Sequence, residues 1–318
     1  MREIGGYIEL DTYSFPMLHE NAIALNCGRN CLAYLFISRG IKKLRIPYFI
    51  CNSIVNVCER EGVEKRFYHI GLDFKPSEDL MLEEDEWLYL VNFYGQLNNK
   101  EIKYYVDKYY RVIVDQANGY FEKPLHGVDT FYTCRKWFGV ADGAFLYTDK
   151  LLLDSFGMDE SYKRMRFILG RYERTASEFY DEYNENNRFF INEPIKRMSK
   201  LTRNLLHGIE YDKVEMIRRQ NFQYLHERLG EYNKLKLIPA TFMYPLMIEN
   251  GSIIRRKLQA DRIYIPTLWP TVFDITTSDM IEYQMAENIL PLPVDQRYGY
   301  KDMDHIIAKI LEFLGGAK

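Results

Sequence analysis

Long apolar runs are missing from this 318-residue sequence. No stretch approaches the roughly 20 consecutive apolar residues of a membrane-spanning helix, and the N-terminal Met1-Arg2-Glu3-Ile4-Gly5-Gly6 has no apolar signal region. The expectation is a cytoplasmic protein with no membrane partner. An excess of one charge is missing too: 42 basic and 45 acidic residues leave a net charge of -3 with no long single-sign run. That removes the electrostatic footprint of a nucleic-acid-binding protein. Cysteine is sparse. Cys27, Cys31, Cys51, Cys58 and Cys134 are odd in number and show no CxxC spacing, which reads as reduced, mostly buried thiols. The six histidines are scattered without HxxxH spacing or a flanking carboxylate cluster, so metal catalysis is not expected. Internal repeats and low-complexity segments are absent as well.

What is present is apolar and aromatic: 47% hydrophobic and 15% aromatic residues, enough for a large core and a division into a larger and a smaller domain. From about Leu25 to Tyr147, short apolar runs alternate with helical patterns. Leu44–Ile46, Phe67–Ile70, Trp87–Val91, Val112–Val114, Asp129–Tyr132 and Ala144–Tyr147 read as strands, and Asn52–Glu61 and Asn99–Tyr109 as helices. Such alternation predicts a mostly parallel α/β sheet. Residues 155–235 read as a charged, helical connector that completes a large domain of residues 1–235, with a long helix at Tyr211–Leu229. Residues 236–318 read as a smaller α+β domain. Its expected strands are at Leu237–Ile238, Met243–Ile248 and Ile263–Ile265, and its helices near Ser252–Ala260 and Asp302–Leu314.

Ligands of parallel α/β sheets bind beyond the carboxyl ends of the strands, where Asn92, Asp115 and the Lys136 loop fall in this reading. Gly28 stands at the start of an apolar helix, where free amides and the helix dipole suit a phosphate and a glycine lets backbone approach it; an ordinary helix start near Asn26 or Asn30 would look the same. Asp115 ends the strand Val112–Val114, where a carboxylate either caps a turn or pairs with a protonated ring nitrogen. Lys136 lies between two apolar runs, where an amine can form an imine. A phosphate, a ring nitrogen and an aldehyde are the three demands of pyridoxal 5'-phosphate.

With these segments the chain resembles the fold-type I pyridoxal-phosphate aminotransferases, and within them the DegT/StrS-like sugar aminotransferases. The resemblance rests on Asn26-Cys27-Gly28-Arg29-Asn30, Ile46-Pro47-Tyr48-Phe49-Ile50-Cys51, Asn92-Phe93-Tyr94-Gly95-Gln96, Asp115-Gln116-Ala117-Asn118, Thr133-Cys134-Arg135-Lys136-Trp137-Phe138-Gly139 and Arg197-Met198-Ser199. Leu292-Pro293-Val294-Asp295-Gln296-Arg297-Tyr298 looks like the signature of a short-chain branch. The resemblance implies a three-layer α/β/α large domain with a smaller C-terminal α+β domain. It also implies catalytic roles for Lys136 as Schiff-base lysine and Asp115 as pyridinium partner. Gly28 and Arg29 match the phosphate-loop pair, with Asn30 beside them; Thr133 matches the phosphate-holding Ser or Thr, and Asn118 the contact to the ring hydroxyl.

Two matches depart from the pattern. The ring-stacking position, often aromatic in relatives, is Cys51, with Phe49 or Tyr94 as alternatives. The family's Asn-x-Arg, which reaches the neighbouring subunit's site, is Ile195-Lys196-Arg197, with the Asn lost and the Arg kept. The implied activity is amino transfer from a donor such as glutamate to a nucleotide-linked keto sugar, in a homodimer, for surface polysaccharide or related sugar biosynthesis. The same cofactor chemistry would serve a dehydratase or racemase, and the departures would suit an inactive regulatory or assembly protein. Arg135 and the Asp295–Tyr298 turn read equally well as structural.

Overall fold

The computed structural model describes residues 4–153 and 155–315. Met1 to Glu3 of the N-terminal stretch, Asp154, and residues 316–318 of the expected small domain lie outside the described residues. In chain order the elements are β1 (Ile23–Leu25), α1 (Gly28–Arg39), β2 (Lys43–Pro47), α2 (Asn52–Arg60), β3 (Glu64–Tyr68), β4 (Glu86–Val91), α3 (Asn99–Tyr109), β5 (Val112–Asp115), β6 (Asp129–Thr133) and β7 (Ala144–Tyr147). Four helices follow, α4 (Arg166–Glu173), α5 (Tyr180–Phe189), α6 (Lys200–Leu206) and α7 (Tyr211–Leu229). The chain ends with β8 (Met243–Met247), α8 (Gly251–Ala260), α9 (Val272–Ile275), α10 (Ile281–Asn288), β9 (Ile289–Pro293) and α11 (Tyr300–Gly315).

The main sheet has seven strands in the order β1-β7-β6-β5-β4-β2-β3. Strands β6, β5, β4, β2 and β3 run parallel, and β7 is antiparallel to both its neighbours. Parallel strands covered on both faces are apolar along their length, and β5 and β6 are buried at every residue. Edge strand β3 carries Glu64, Lys65 and Arg66, charges of the kind that discourage edge-to-edge pairing. Helix α1 is buried from Asn30 to Phe36, and its end is fixed where Arg39 donates twice to Asp129 at the start of β6, both at 2.8 Å. Asn98 and Glu101 form a capping box that starts α3.

A separate two-stranded sheet, β8 antiparallel to β9, shares a second hydrophobic cluster with α7, α8 and α11; that cluster takes in Phe222, Leu225 and Leu229, upstream of residue 236. Here the sequence reading needs three corrections. Strand β9 was not expected, because Pro291 and Pro293 argue against a strand interior; as one of only two strands it has an open side, and Pro291 sits opposite Pro245. Ile263–Ile265 forms no strand, although Ile265 is buried in the second cluster. Leu237–Ile238 forms none either: Ile238 is paired through both its backbone groups with the Gln96 carboxamide, at 2.9 and 3.0 Å, so a side chain replaces the ladder.

The turn between β6 and β7 is anchored from below by Asp142, a fully buried carboxylate. It accepts from Ser199 N and Ser199 Oγ, both at 2.7 Å, and from the Thr202 hydroxyl, so it joins this turn to the first turn of α6. Gly143 follows at φ +111, and a Cβ there would meet Thr202 at 3.0 Å and Cys134 at 3.2 Å, so only glycine fits. Replacing Asp142 with Ala leaves several buried donors without a charged acceptor and should lower the unfolding free energy by about 3 kcal/mol. Urea denaturation measures this; a loss under about 1 kcal/mol would mean that the anchor is dispensable.

Candidate active site

Topology sets the place. Strands β2, β4, β5 and β6 are parallel, so Pro47, Val91, Asp115 and Thr133 end on one rim of the sheet. Strand β1 joins them through two reversals, β6 to β7 and β7 to β1, so the Leu25 end and the start of α1 face that rim as well. The segments that follow carry Cys51, Tyr94, Asn118, Lys136 and Gly28.

Asp115 is buried at the end of β5. Its Oδ2 accepts from the Tyr89 hydroxyl at 2.6 Å and its Oδ1 from Ala117 N at 2.7 Å. Burial pushes the carboxyl above its ordinary range; the charge of Lys136, the Tyr89 hydroxyl and the Ala117 N–H oppose that shift by favouring the anion. Lys136 is exposed while its neighbours Cys134 and Trp137 are buried, and its Nζ lies 5.7 Å from the centre of the Phe242 ring, within cation–π reach. The two turns are also tied directly, because the Trp137 indole Nε1–H donates to Ala117 O at 3.1 Å.

At the third corner α1 begins without a side-chain cap on Cys27 and without an acidic residue in its first turn, which leaves its end open to an anion. Arg29 donates to Asn187 O at 3.2 Å and Arg135 to Asn187 Oδ1 at 2.9 Å. Among the described residues the Nε–H of each is buried without a partner, and burial lowers the Arg135 pKa. A Cβ at Gly28 would lie 3.4 Å from the Phe131 ring and 4.0 Å from Thr133 Cβ, ordinary contact distances, so the start of α1 stands beside Thr133.

No family model matches the sequence, and no curated protein matches it. Solved structures do. A DegT DnrJ EryC1 StrS aminotransferase from Brucella abortus superposes with a TM-score of 0.61 at 15% identity, over 92% of this chain and 85% of its own. The sugar aminotransferase CalS13 from Micromonospora echinospora gives 0.61 at 18% identity, over 92% and 87%. NtdA from Bacillus subtilis, with bound cofactor PMP, gives 0.62 at 13% identity, over 92% and 72%. The chain has the fold of these aminotransferases.

Within that aminotransferase fold the remaining sequence candidates occupy distinct places. Cys51 stands at the N-cap position of α2 without a side-chain cap, its Sγ 2.7 Å from Ser53 Oγ, and it lies close enough to affect Tyr89, the partner of Asp115. Asn118 is buried and accepts from Tyr94 N at 3.3 Å. Tyr94, at φ +55, is buried among Phe74, Phe242 and Trp269, and Phe49 is buried against Phe93 and Trp269. The Asn30 amide is engaged by the chain itself: it donates to Asn26 Oδ1, Glu193 O and Pro194 O at 2.8–3.1 Å and accepts from Arg60 at 3.0 Å. Arg197 is exposed, pairs through its backbone with Leu25 and Met158, and donates to Phe156 O at 3.2 Å. Ile195 packs against the main core.

Sequence reasoning did not single out Tyr89, Trp137, Phe242 or Arg218. Tyr89 sits inside an apolar strand and Arg218 inside a charged helix, so neither stands out from its surroundings.

Tyr89→Phe removes the donor at Asp115 Oδ2. Asp115 has a raised folded pKa, so its contribution to stability is fully present below the unfolded pKa and is lost as pH rises through the folded value. Without Tyr89 the anion is held less well, and the loss on the alkaline side grows. Tyr89→Phe should therefore cost more at pH ~8 than at pH ~4, by about 1–2 kcal/mol. Urea unfolding at both values measures it; an equal cost at both would show that the hydroxyl does not stabilise the anion.

Proposed function

We propose that this protein is a pyridoxal-phosphate-dependent aminotransferase that moves the amino group of a donor such as glutamate onto a keto sugar, nucleotide-linked and destined for surface polysaccharide or a related sugar product. The observation that carries the reading is the tie between the Lys136 and Asp115 turns on one rim through Trp137 and Ala117. The fold of CalS13, a sugar aminotransferase, and of NtdA, with bound cofactor PMP, supports the substrate class and the cofactor.

The residues fit that cofactor. The uncapped start of α1, Thr133, and the two unpartnered Nε–H groups of Arg29 and Arg135 would hold its phosphate. Asp115 would hold a proton on its ring nitrogen, and Lys136 would carry its aldehyde carbon. When bound, the cofactor supplies an electron sink for the pair left on the donor's α-carbon. Lys136 Nζ, freed when the donor amine takes its place, would take the proton from that α-carbon and deliver it to the carbon the lysine had held, across the intervening nitrogen, a task for a neutral amine. Asp115 must stay ionised to keep the ring nitrogen charged, and its two hydrogen bonds favour that state.

A homodimer follows from the same reading, with Arg197, exposed on the outside of the sheet, as the residue that reaches the partner. The exposed apolar arm with Ile4, Tyr7, Ile8, Leu10 and Phe15 favours self-association. Sedimentation should find two copies per particle.

Lys136→Ala should abolish the visible absorbance of protein-bound pyridoxal phosphate and cut turnover by about 10⁴-fold. Asp115→Ala should retain cofactor and lose about 10²–10³-fold in turnover. An unchanged spectrum in Lys136→Ala would sink the assignment. Conversion of the cofactor to its pyridoxamine form by glutamate separates transamination from dehydration and racemisation.

A further inference from the structure

The Asp295–Arg297 turn and the middle of α7 meet at a single carbonyl next to Lys136. Arg218 is buried to 2% exposure. Its Nη2 donates to Trp137 O at 3.3 Å, its Nη1 to Thr241 O at 2.9 Å and Phe242 O at 3.4 Å, and its Nε to Gln296 Oε1 at 2.8 Å. The guanidinium also lies 4.5 Å from the centre of the Trp137 ring. Gln296 completes the arrangement, because its Nε2 donates to the same Trp137 O at 3.0 Å.

We propose that Arg218 and Gln296 are positioning residues, which fix the Trp137–Phe138 peptide directly after Lys136 and thereby hold Lys136 and Asp115 in one frame. This rests on the aminotransferase reading above. A burial this deep disfavours a cation, and burial does push the Arg218 pKa down to about 10. The charge is accommodated by carbonyls and an aromatic face instead of a directly bonded carboxylate: Asp295 lies near enough to favour it but makes its own hydrogen bonds to Arg297, at 2.6 and 2.8 Å. What the cation gains is three main-chain acceptors from two segments, the Lys136 turn and the start of β8, where Phe242 supplies both a carbonyl to Arg218 and the ring facing Lys136 Nζ. From Trp137 the constraint continues to Asp115, since the indole N–H holds Ala117 O while Ala117 N holds the Asp115 carboxylate. Moving the Trp137 carbonyl would shift both catalytic groups.

The Gln296 carboxamide is suited to this place because it offers an acceptor to Arg218 and a donor to Trp137 O. Gln296→Glu keeps the acceptor and removes the donor, so a structural role survives it and a positioning role does not. Gln296→Met removes both at similar volume.

The experiment incubates each apoprotein with pyridoxal phosphate, reduces with borohydride, and follows modification of Lys136 by peptide mass spectrometry, with urea unfolding in parallel and kcat and KM on the donor half-reaction. Gln296→Glu should keep its stability while Lys136 modification slows by about tenfold or more and the loss falls on kcat with KM unchanged; Gln296→Met should slow as much. Modification at the wild-type rate in both variants overturns the proposal. Should wild-type protein leave Lys136 unmodified, the aminotransferase reading itself fails. The clamp is then judged by exchange of the Trp137 indole proton: faster exchange in Gln296→Glu supports it, and unchanged exchange refutes it.

Discussion

A buried carboxylate without a directly bonded cation is the constraint around which this rim is built. Burial disfavours the charge of Asp115, and the Lys136 charge, one hydroxyl and one backbone amide oppose that shift, so both donors must be held still. Tyr89 is held by its place in β4, a strand paired with β5 from Leu88 to Val91. Ala117 N is held by the turn, and that turn in turn by the Trp137 indole. The fold therefore ties the position of the carboxylate to that of the lysine turn, and a change in either is felt by the other. A solvated Asp–Lys ion pair would give no such coupling, since exposed pairs contribute little and are screened by salt.

Sheet topology supplies the rest of the geometry. Strand β7 reverses direction beside β6 and β1 reverses it again, so the lysine turn and the start of α1 emerge on the same rim as β5. The ten residues between β6 and β7, Cys134 to Gly143, form a broad connection that needs its own supports. Asp142 fixes its far end to α6, Gly143 N donates to Asn26 O at 2.6 Å, and Arg218 with Gln296 fix its centre. Lys136 is exposed on a turn whose neighbours are buried, which is the arrangement a reactive side chain needs: free at its tip and rigid at its root.

Much of this was readable from the sequence where the chemistry is local. The strand-end position of Asp115, the start of α1 at Gly28, the long helix Tyr211–Leu229 and the alternation of strands and helices follow from apolar runs and turn residues. What stayed hidden depends on distant pairings. Arg218 lies in a helix rich in Arg, Glu and Gln, where burial of one guanidinium leaves no periodic trace. Gln296 belongs to a segment that reads as a polar turn. Strand β9 was concealed by its prolines, and Ile263–Ile265, apolar enough for a strand, fills the second core as a loop.

Ile195 poses the sharpest question for the aminotransferase reading, because a hydrocarbon there cannot reach a phosphate in a partner subunit as an asparagine would. The arginines offer an answer within one chain. Arg29 and Arg135 converge on Asn187 beside the open end of α1, and each keeps a buried N–H without an acceptor. Buried donors left unpaired cost about 1–3 kcal/mol apiece, a burden that an anion at α1 would relieve while it gained two charge-assisted hydrogen bonds. Phosphate binding at this place would then draw its strength from relief of an internal deficit as well as from new contacts. The charge that the partner's side chain no longer helps to hold would be met by two cations of the same subunit, so loss of the asparagine need not mean loss of the cofactor.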